Sequence, residues 1–219
     1  MAQAPRTSTV GLSDDPIENL TGWLQAYQKP IVIGIGVVAV SVAAIMGYRW
    51  MDANKRIDAN NELYAATGPM QEGKFPEAQT ALQRVAQRYS GTASGSQAVM
   101  LLAQVLYEQQ KYAEGIAALE KGKGSAGRDF DASFEALIAT GYESQSKFEQ
   151  AAEHYGKAAA AARFPMDKGA NQAAQARNLM AAGKLAESKA LWEALAKDEG
   201  TPFAQEAQVR IGELIGTGK

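Results

Sequence analysis

The pattern of hydrophobic positions divides the chain into an uncharged stretch near the N-terminus and a long series of amphipathic segments after it. Residues 31–48 read IVIGIGVVAVSVAAIMGY, eighteen residues without a charge, between Lys29 and Arg49. Eighteen helical residues extend about 27 Å, close to the ~30 Å hydrocarbon core of a bilayer. The pattern therefore predicts one transmembrane helix over residues 30–50, beginning at Pro30, where a missing N–H costs nothing.

A polar tail with a short amphipathic helix is predicted over residues 1–29. Asp15 is expected to cap this helix and Pro16 to occupy its first position. Apolar side chains then share one face, at Ile17, Leu20, Leu24 and Tyr27. Such a helix suits a membrane surface or a partner protein. Because a long polar segment precedes the apolar stretch, we expect an uncleaved anchor rather than a signal peptide.

Four similar units follow the predicted span. Their turns read KFPEA, KYAEG, KFEQA and KLAES, and they begin at spacings of 37, 36 and 37 residues, at Lys74, Lys111, Lys147 and Lys184. A helical run precedes and follows each turn. Eight residues after each lysine stands a bulky residue that we expect to fill the space between helices: Leu82, Leu119, Tyr155 and Trp192. The sequence thus predicts an all-α solenoid of about four helix–turn–helix units, closed by a capping helix over 203–215.

These units resemble the tetratricopeptide repeat over roughly residues 59–215. The third unit carries the small and aromatic residues of the consensus at Ala139, Tyr142, Ala151, Tyr155 and Ala158. The other units are degenerate. The first departs most, since Gly68-Pro69 interrupts its leading helix, and there we expect the helix to end or kink. The predicted domains are the tail (1–29), the span (30–50), a juxtamembrane helix (51–68) and the repeat domain (69–219).

The resemblance implies a partner-binding groove lined by the first helix of each unit. The positions concerned are Gln97, Met100, Gln104 and Tyr107, then Ser133, Ala136, Thr140 and Glu143, then Ala170, Ala173, Arg177 and Met180. The predicted partner-binding residues are Met100, Gln104, Tyr107, Thr140, Glu143 and Arg177. Their mixed polarity suits a helix or an extended peptide. The alternative is that these side chains pack against neighbouring repeats. The lysines and asparagines with which related receptors clamp a terminal carboxylate are not matched, so that ligand is not expected.

Three small residues recur at four-residue spacing within the predicted span, at Ala39, Ala43 and Gly47. Small residues at this spacing let helices approach closely in lipid. We therefore predict a membrane-helix packing face, with the alternative that alanine and glycine are simply common in such helices.

The composition disfavours catalysis and cofactor binding. The chain has a net charge of −2 and no cysteine, which argues against nucleic-acid binding and excludes thiolate metal sites. Its one histidine, His154, lies between polar neighbours and is expected to be solvated. The glycines of residues 120–127 lack a phosphate-binding motif. We predict no enzyme activity, no cofactor, no metal and no small-molecule substrate.

The layout of tail, single span and degenerate repeats resembles the bacterial ancillary subunit of the Sec translocon. This resemblance implies the bacterial inner membrane, a periplasmic repeat domain, and exported proteins or chaperones as partners. The charge count opposes that orientation, because Lys29 stands alone before the span while Arg49, Lys55 and Arg56 follow it. We adopt the periplasmic side, since long domains translocate largely regardless of charge.

Two functions fit these features. The first is a membrane-anchored scaffold or adaptor that binds protein partners through its helical repeats. The second is a fixed structural subunit of a large respiratory, photosynthetic or secretory membrane complex.

Overall fold

A computed structural model describes residues 16–198 and 201–217 and confirms the all-α class for them. Over these residues there is no β-strand, and the nine α-helices are α1 (Pro16–Gln71), α2 (Phe75–Arg88), α3 (Ala93–Glu108), α4 (Tyr112–Lys123), α5 (Asp131–Glu143), α6 (Phe148–Ala161), α7 (Pro165–Ala181), α8 (Leu185–Ala196) and α9 (Pro202–Thr217). A 3-10 turn, Arg128–Phe130, precedes α5. The chain divides into two compact units, Met1–Ala53 and Asn54–Lys219.

In the first unit, the described part of the chain is helical, and the apolar side chains that the structure describes there, from Val32 onwards, are exposed. All side chains from Val32 to Trp50 are exposed. By length and composition this helix could cross a membrane, and a signal sequence would have the same properties. Ala39, Ala43 and Gly47 are among the exposed residues, with open space around Gly47. Their packing against another helix stays a prediction.

Helix α1 is continuous where the sequence predicted separate helices. The expectation that a helix begins at Pro30 is wrong, because α1 begins at Pro16 and continues to Gln71. A proline inside a helix removes one backbone hydrogen bond and crowds the preceding turn, yet α1 continues through position 30. Near Gly68-Pro69 the helix does end, within its last turn. The predicted cap Asp15 and the side chains of Ile17, Leu20, Leu24 and Tyr27 lie outside what the structure describes.

The second unit contains the repeats. Each repeat is formed by two consecutive helices, and α9 follows the last repeat. The C-terminal part of α1 is the first helix of the first repeat, since Ala59, Leu63 and Ala66 are buried in one cluster with residues of α2 and α3. Similar clusters join α3, α4 and α5, then α5 and α6 with α7, then α7, α8 and α9. The core is therefore a row of clusters, as in a solenoid where each repeat contacts its neighbours.

The bulky residues of the repeat pattern are buried together with small residues, which confirms their predicted role. The bulky positions are Leu82, Leu119, Tyr155 and Trp192, and the small positions four residues earlier are Ala78, Gly115, Ala151 and Ser188. Small residues let two helices approach closely, and the bulky side chain fills the space beside them.

Each repeat turns through a single residue in the left-handed backbone region. The four residues, each directly before the turn lysine, are Gly73 (φ 70°), Gln110 (φ 60°), Ser146 (φ 57°) and Gly183 (φ 78°). The lysine N–H then donates to a carbonyl five residues earlier, as in Lys111 to Leu106 (2.8 Å) and Lys184 to Leu179 (2.9 Å). This pattern is the Schellman motif, which satisfies the last carbonyl groups of a helix. The four turns are thus structurally equivalent although their sequences differ.

Candidate partner-binding face

The predicted groove residues lie on α3, α5 and α7, the first helices of the second to fourth repeats. The surface that these residues form with their neighbours on α1 and α9 is called the first-helix face below. Four of the predicted residues are exposed there, namely Gln104, Thr140, Glu143 and Arg177, whereas Met100 and Tyr107 are half-buried. Ala173, which was placed in the groove, is instead fully buried beside Trp192, because α8 and α9 cover that side of α7.

Tyr107 has a packing role in the stack. Its hydroxyl donates a hydrogen bond to the Leu137 carbonyl on α5 (3.0 Å). Two glycines make room for the side chain, since a Cβ at Gly115 or Gly141 would lie 2.4 Å from it. Burial raises the pKa of the phenol well above its usual value. Tyr107 therefore links α3, α4 and α5, and any contact with a partner would involve only the part of the ring that is exposed.

Thr140 and Glu143 are joined on the first-helix face by the hydroxyl of Tyr155. This hydroxyl donates to Glu143 Oε2 (2.8 Å) and lies 3.3 Å from Thr140 Oγ1. Burial raises the pKa of Tyr155 to about 12, so the phenol stays protonated and keeps donating at physiological pH. Tyr155, the bulky residue that fills the space between helices in the third repeat, thus also orients two exposed polar side chains.

Arg177 continues this polar surface from α7 to α9. Its guanidinium forms two hydrogen bonds with Glu206, at 2.7 and 2.8 Å. Arg210 lies 3.7 Å from the same carboxylate and also pairs with Glu213 at 2.9 Å. The C-terminal half of the first-helix face therefore presents charges of both signs in fixed positions, which suits recognition of a polar partner surface.

A cavity on the N-terminal half of the face has a lining without charged side chains and rich in amide groups. This cavity of about 490 Å³ lies between α1 and α3 and is lined by Asn60, Asn61, Leu63, Tyr64, Thr67, Gln97 and Leu101. Tyr64 is 81% exposed at this cavity. Amide side chains can both donate to and accept from a peptide backbone, and an exposed tyrosine supplies rigid contact area. Sequence reasoning missed α1 as part of the face because the predicted groove began at the second repeat.

A buried ionic cluster joins the second and third repeats, and sequence reasoning missed it. Glu135 on α5 is 4% exposed. One of its carboxylate oxygens pairs with Lys123 of α4, and the other accepts a hydrogen bond from Nδ1 of His154 on α6 (2.7 Å). The ring of Tyr142 stacks on the imidazole at 5.3 Å. The prediction of a solvated His154 is therefore wrong, because α5 covers that side of α6.

This cluster consists of an ion pair and a histidine and does not form a metal site. Among the described residues, no three histidine and carboxylate side chains converge as metal ligands would. Burial by itself raises the pKa of Glu135, but the hydrogen bonds from Lys123 and His154 outweigh it and hold the pKa below its usual range. The carboxylate is therefore ionised at neutral pH, and its role is to connect three helices.

Glu135→Gln is expected to lower the free energy of unfolding by about 1 kcal/mol at pH 7, since hydrogen bonds to a charged group are stronger than neutral ones. The lowered pKa means that this contribution is complete above the unfolded pKa near 4.5 and is lost as the pH falls through the folded value. The difference between wild type and variant should therefore shrink below about pH 4.5. Urea unfolding at pH 7, 5 and 3.5 measures it, and a constant difference would contradict the assignment.

Comparisons with known proteins identify the repeats. A model of the tetratricopeptide repeat-like domain family matches residues 58–173, just over half of the chain. Two crystal structures of nearly identical TPR-like repeats from a candidate kinesin light chain of Podospora anserina, one of them a point variant, have a similar fold. They share 18% and 17% identity, cover 73% of this chain and 85% and 86% of their own, and both give a TM-score of 0.57. No curated protein sequence matches the chain significantly.

Proposed function

The chain belongs to the tetratricopeptide repeat-like domain family, and from this premise we propose that it is a non-catalytic, membrane-anchored scaffold that binds partner proteins through its first-helix face. Repeats of this family typically serve as protein-interaction scaffolds. The observation that carries the proposal is the polar surface running from Thr140 and Glu143 through Arg177 to Glu206. Its side chains are held in place by hydrogen bonds within the stack, so little conformational entropy is lost when a partner binds.

Variants on this face are expected to weaken partner binding without unfolding the stack. Gln104→Arg and Arg177→Glu should each reduce the affinity for a co-purified partner about fivefold to thirtyfold, the range of a moderate interface residue. Both side chains of the Arg177–Glu206 pair are partly exposed to solvent, which screens the pair, so its loss should cost about 1 kcal/mol of stability. Glu187→Arg, at an exposed position on α8, is the matched control. Equal losses for the control and the two variants would exclude this face.

The membrane location is the second part of the proposal. The exposed apolar stretch of α1 supports an anchor over residues 30–50. The predicted boundary between a juxtamembrane helix (51–68) and the repeats (69–219) moves towards the N-terminus, because the C-terminal part of α1 already packs as the first helix of the first repeat. The layout supports the bacterial inner membrane with a periplasmic repeat domain, where exported proteins or chaperones would be the partners, as in the ancillary subunit of the Sec translocon.

We expect a cysteine at position 187 to react with a membrane-impermeant maleimide in intact cells. Glu187 is exposed, and the natural chain has no cysteine to confuse the signal. The turn residue Lys184 is a poorer choice because it is only half-exposed and pairs with Glu149. Labelling that occurs only after lysis would place the repeats in the cytoplasm, as the charge count favours.

The alternative function is that of a fixed structural subunit of a large membrane complex. It predicts a different set of co-purifying partners when the chain is purified in mild detergent. A scaffold should retain its partners below one-to-one ratio and lose them as salt is raised, because the charged half of the face depends on exposed ion pairs. A stoichiometric, salt-resistant set of partners would instead identify a structural subunit.

A further inference from the structure

An apolar cavity of about 460 Å³ lies between the second helices of the first two repeats, α2 and α4, away from the first-helix face. Val99 and Leu102 of α3 form its floor, and Ala86 and Ala118 stand on the two sides. Its volume lies in the range of ligand sites, which are mostly apolar with a few polar groups at the edge. The polar groups here are amide and hydroxyl side chains and one cation, Lys121.

The repeat pattern explains why this cavity exists. Ala86, Val99 and Ala118 correspond to Lys123, Glu135 and His154, which stand 37, 36 and 36 residues further along the chain. Between the second and third repeats those three side chains form the ionic cluster and occupy the equivalent space between α4 and α6. Between the first and second repeats, two alanines and a valine leave the space open. The cavity thus exists because the side chains at these three positions are too small to fill the space that the ionic cluster fills one repeat later.

Lys121 shows a second difference between the same repeats. Its equivalent, Lys157, pairs with Glu153 one helical turn earlier at 2.6 Å. Position 117, the equivalent of Glu153, is alanine, and no ion pair of Lys121 occurs among the residues that the structure describes. No carboxylate lines the cavity among its described residues. The edge of the cavity therefore carries a positive charge that a partner can complement.

We infer that the cleft between α2 and α4 is a second protein-binding site, which accepts an acidic amphipathic helix from a partner protein. Two helices flank the cavity, and an apolar helix face inserted between them would place its side chains on Val99 and Leu102, the helix-in-groove mode of recognition. A glutamate or aspartate beside that face would pair with Lys121. This site is independent of the first-helix face, so a partner can occupy each.

The test uses the full-length chain in detergent micelles and two synthetic amphipathic helical peptides. Both peptides carry leucines on one face, and one has glutamates and the other lysines beside that face. Methyl NMR spectra of the protein should show shifts at Val99 and Leu102 with the glutamate peptide. Ile138, which occupies the position equivalent to Leu102 beside the filled space, should not shift. The lysine peptide should bind about threefold to fivefold more weakly, as expected for one exposed ion pair.

Two variants separate the contributions of charge and shape. Lys121→Glu lies on the surface and should reverse the preference between the peptides. Ala118→Leu should fill the cavity and weaken the glutamate peptide at least about tenfold, the typical effect of a few methylene groups in an apolar site. If Ala118→Leu unfolds the chain, the preference of Lys121→Glu between the two peptides still tests the inference. Absence of shifts with both peptides, an unchanged preference in Lys121→Glu, or equal shifts produced by anionic lipid alone would each overturn the inference.

Discussion

Trp192→Ala is expected to lower the free energy of unfolding of the repeat domain by about 3–5 kcal/mol, the range measured when buried aromatic side chains are truncated. The indole is fully buried and packs in one cluster with residues of α7, α8 and α9. Domains are stable by only about 5–15 kcal/mol, so this loss is a large share of the total. Because each repeat is stabilised by its neighbours, α9 should unfold together with the fourth repeat.

Two further variants serve as controls for the Trp192 experiment. Trp192→Phe keeps an aromatic ring and removes an indole N–H that has no hydrogen-bond partner among the described residues, so we expect a cost of about 1 kcal/mol or less. Leu185→Ala truncates a side chain on the same helix that is 46% exposed, and it should also cost less than about 1 kcal/mol. Urea unfolding followed by circular dichroism at 222 nm measures all three. If Trp192→Ala lowered the free energy of unfolding by no more than Leu185→Ala does, Trp192 would not be the side chain that fills the space between the helices of the fourth repeat.

The positions that the sequence predicted correctly are those fixed by the repeat period. The bulky residues from Leu82 to Trp192 recur at nearly constant spacing, and each must lie between the same pair of helices because neighbouring repeats pack in the same way. The all-α class and the four turns follow from the same regularity. Sequence periodicity therefore predicts the fold and the bulky residues that are buried between the helices of each repeat.

The features that the sequence did not reveal break this period. Lys123, Glu135 and His154 come from three helices of two repeats, and their equivalents in the preceding repeat are apolar, so no repeated pattern marks them. Tyr107 occupies a position at which a solenoid exposes its side chains, yet Gly115 and Gly141 on two other helices leave space for its ring. Such contacts depend on which small residues happen to face each other, and a single sequence does not give that information.

Val38→Arg is expected to prevent stable membrane insertion of the chain. Val38 lies near the middle of the uncharged stretch and its side chain is 62% exposed on α1. A charge at the centre of a spanning helix costs about 2.5–3.5 kcal/mol on insertion scales, enough to shift a single span strongly towards the non-inserted state. Val38→Leu, which keeps the hydrophobicity, should insert as the wild type does.

Carbonate extraction of cells that produce an N-terminally tagged chain measures both insertion and cleavage. If the anchor is uncleaved, the tag and the repeats of the wild type and of Val38→Leu stay together in the membrane pellet. The Val38→Arg chain should instead be found in the supernatant. A tag that separates from the repeats would identify a cleaved signal sequence, which can also form an apolar helix near the N-terminus. Wild-type levels of carbonate-resistant Val38→Arg would refute a spanning helix at this position, and the binding faces of the repeats would then act without a membrane tether.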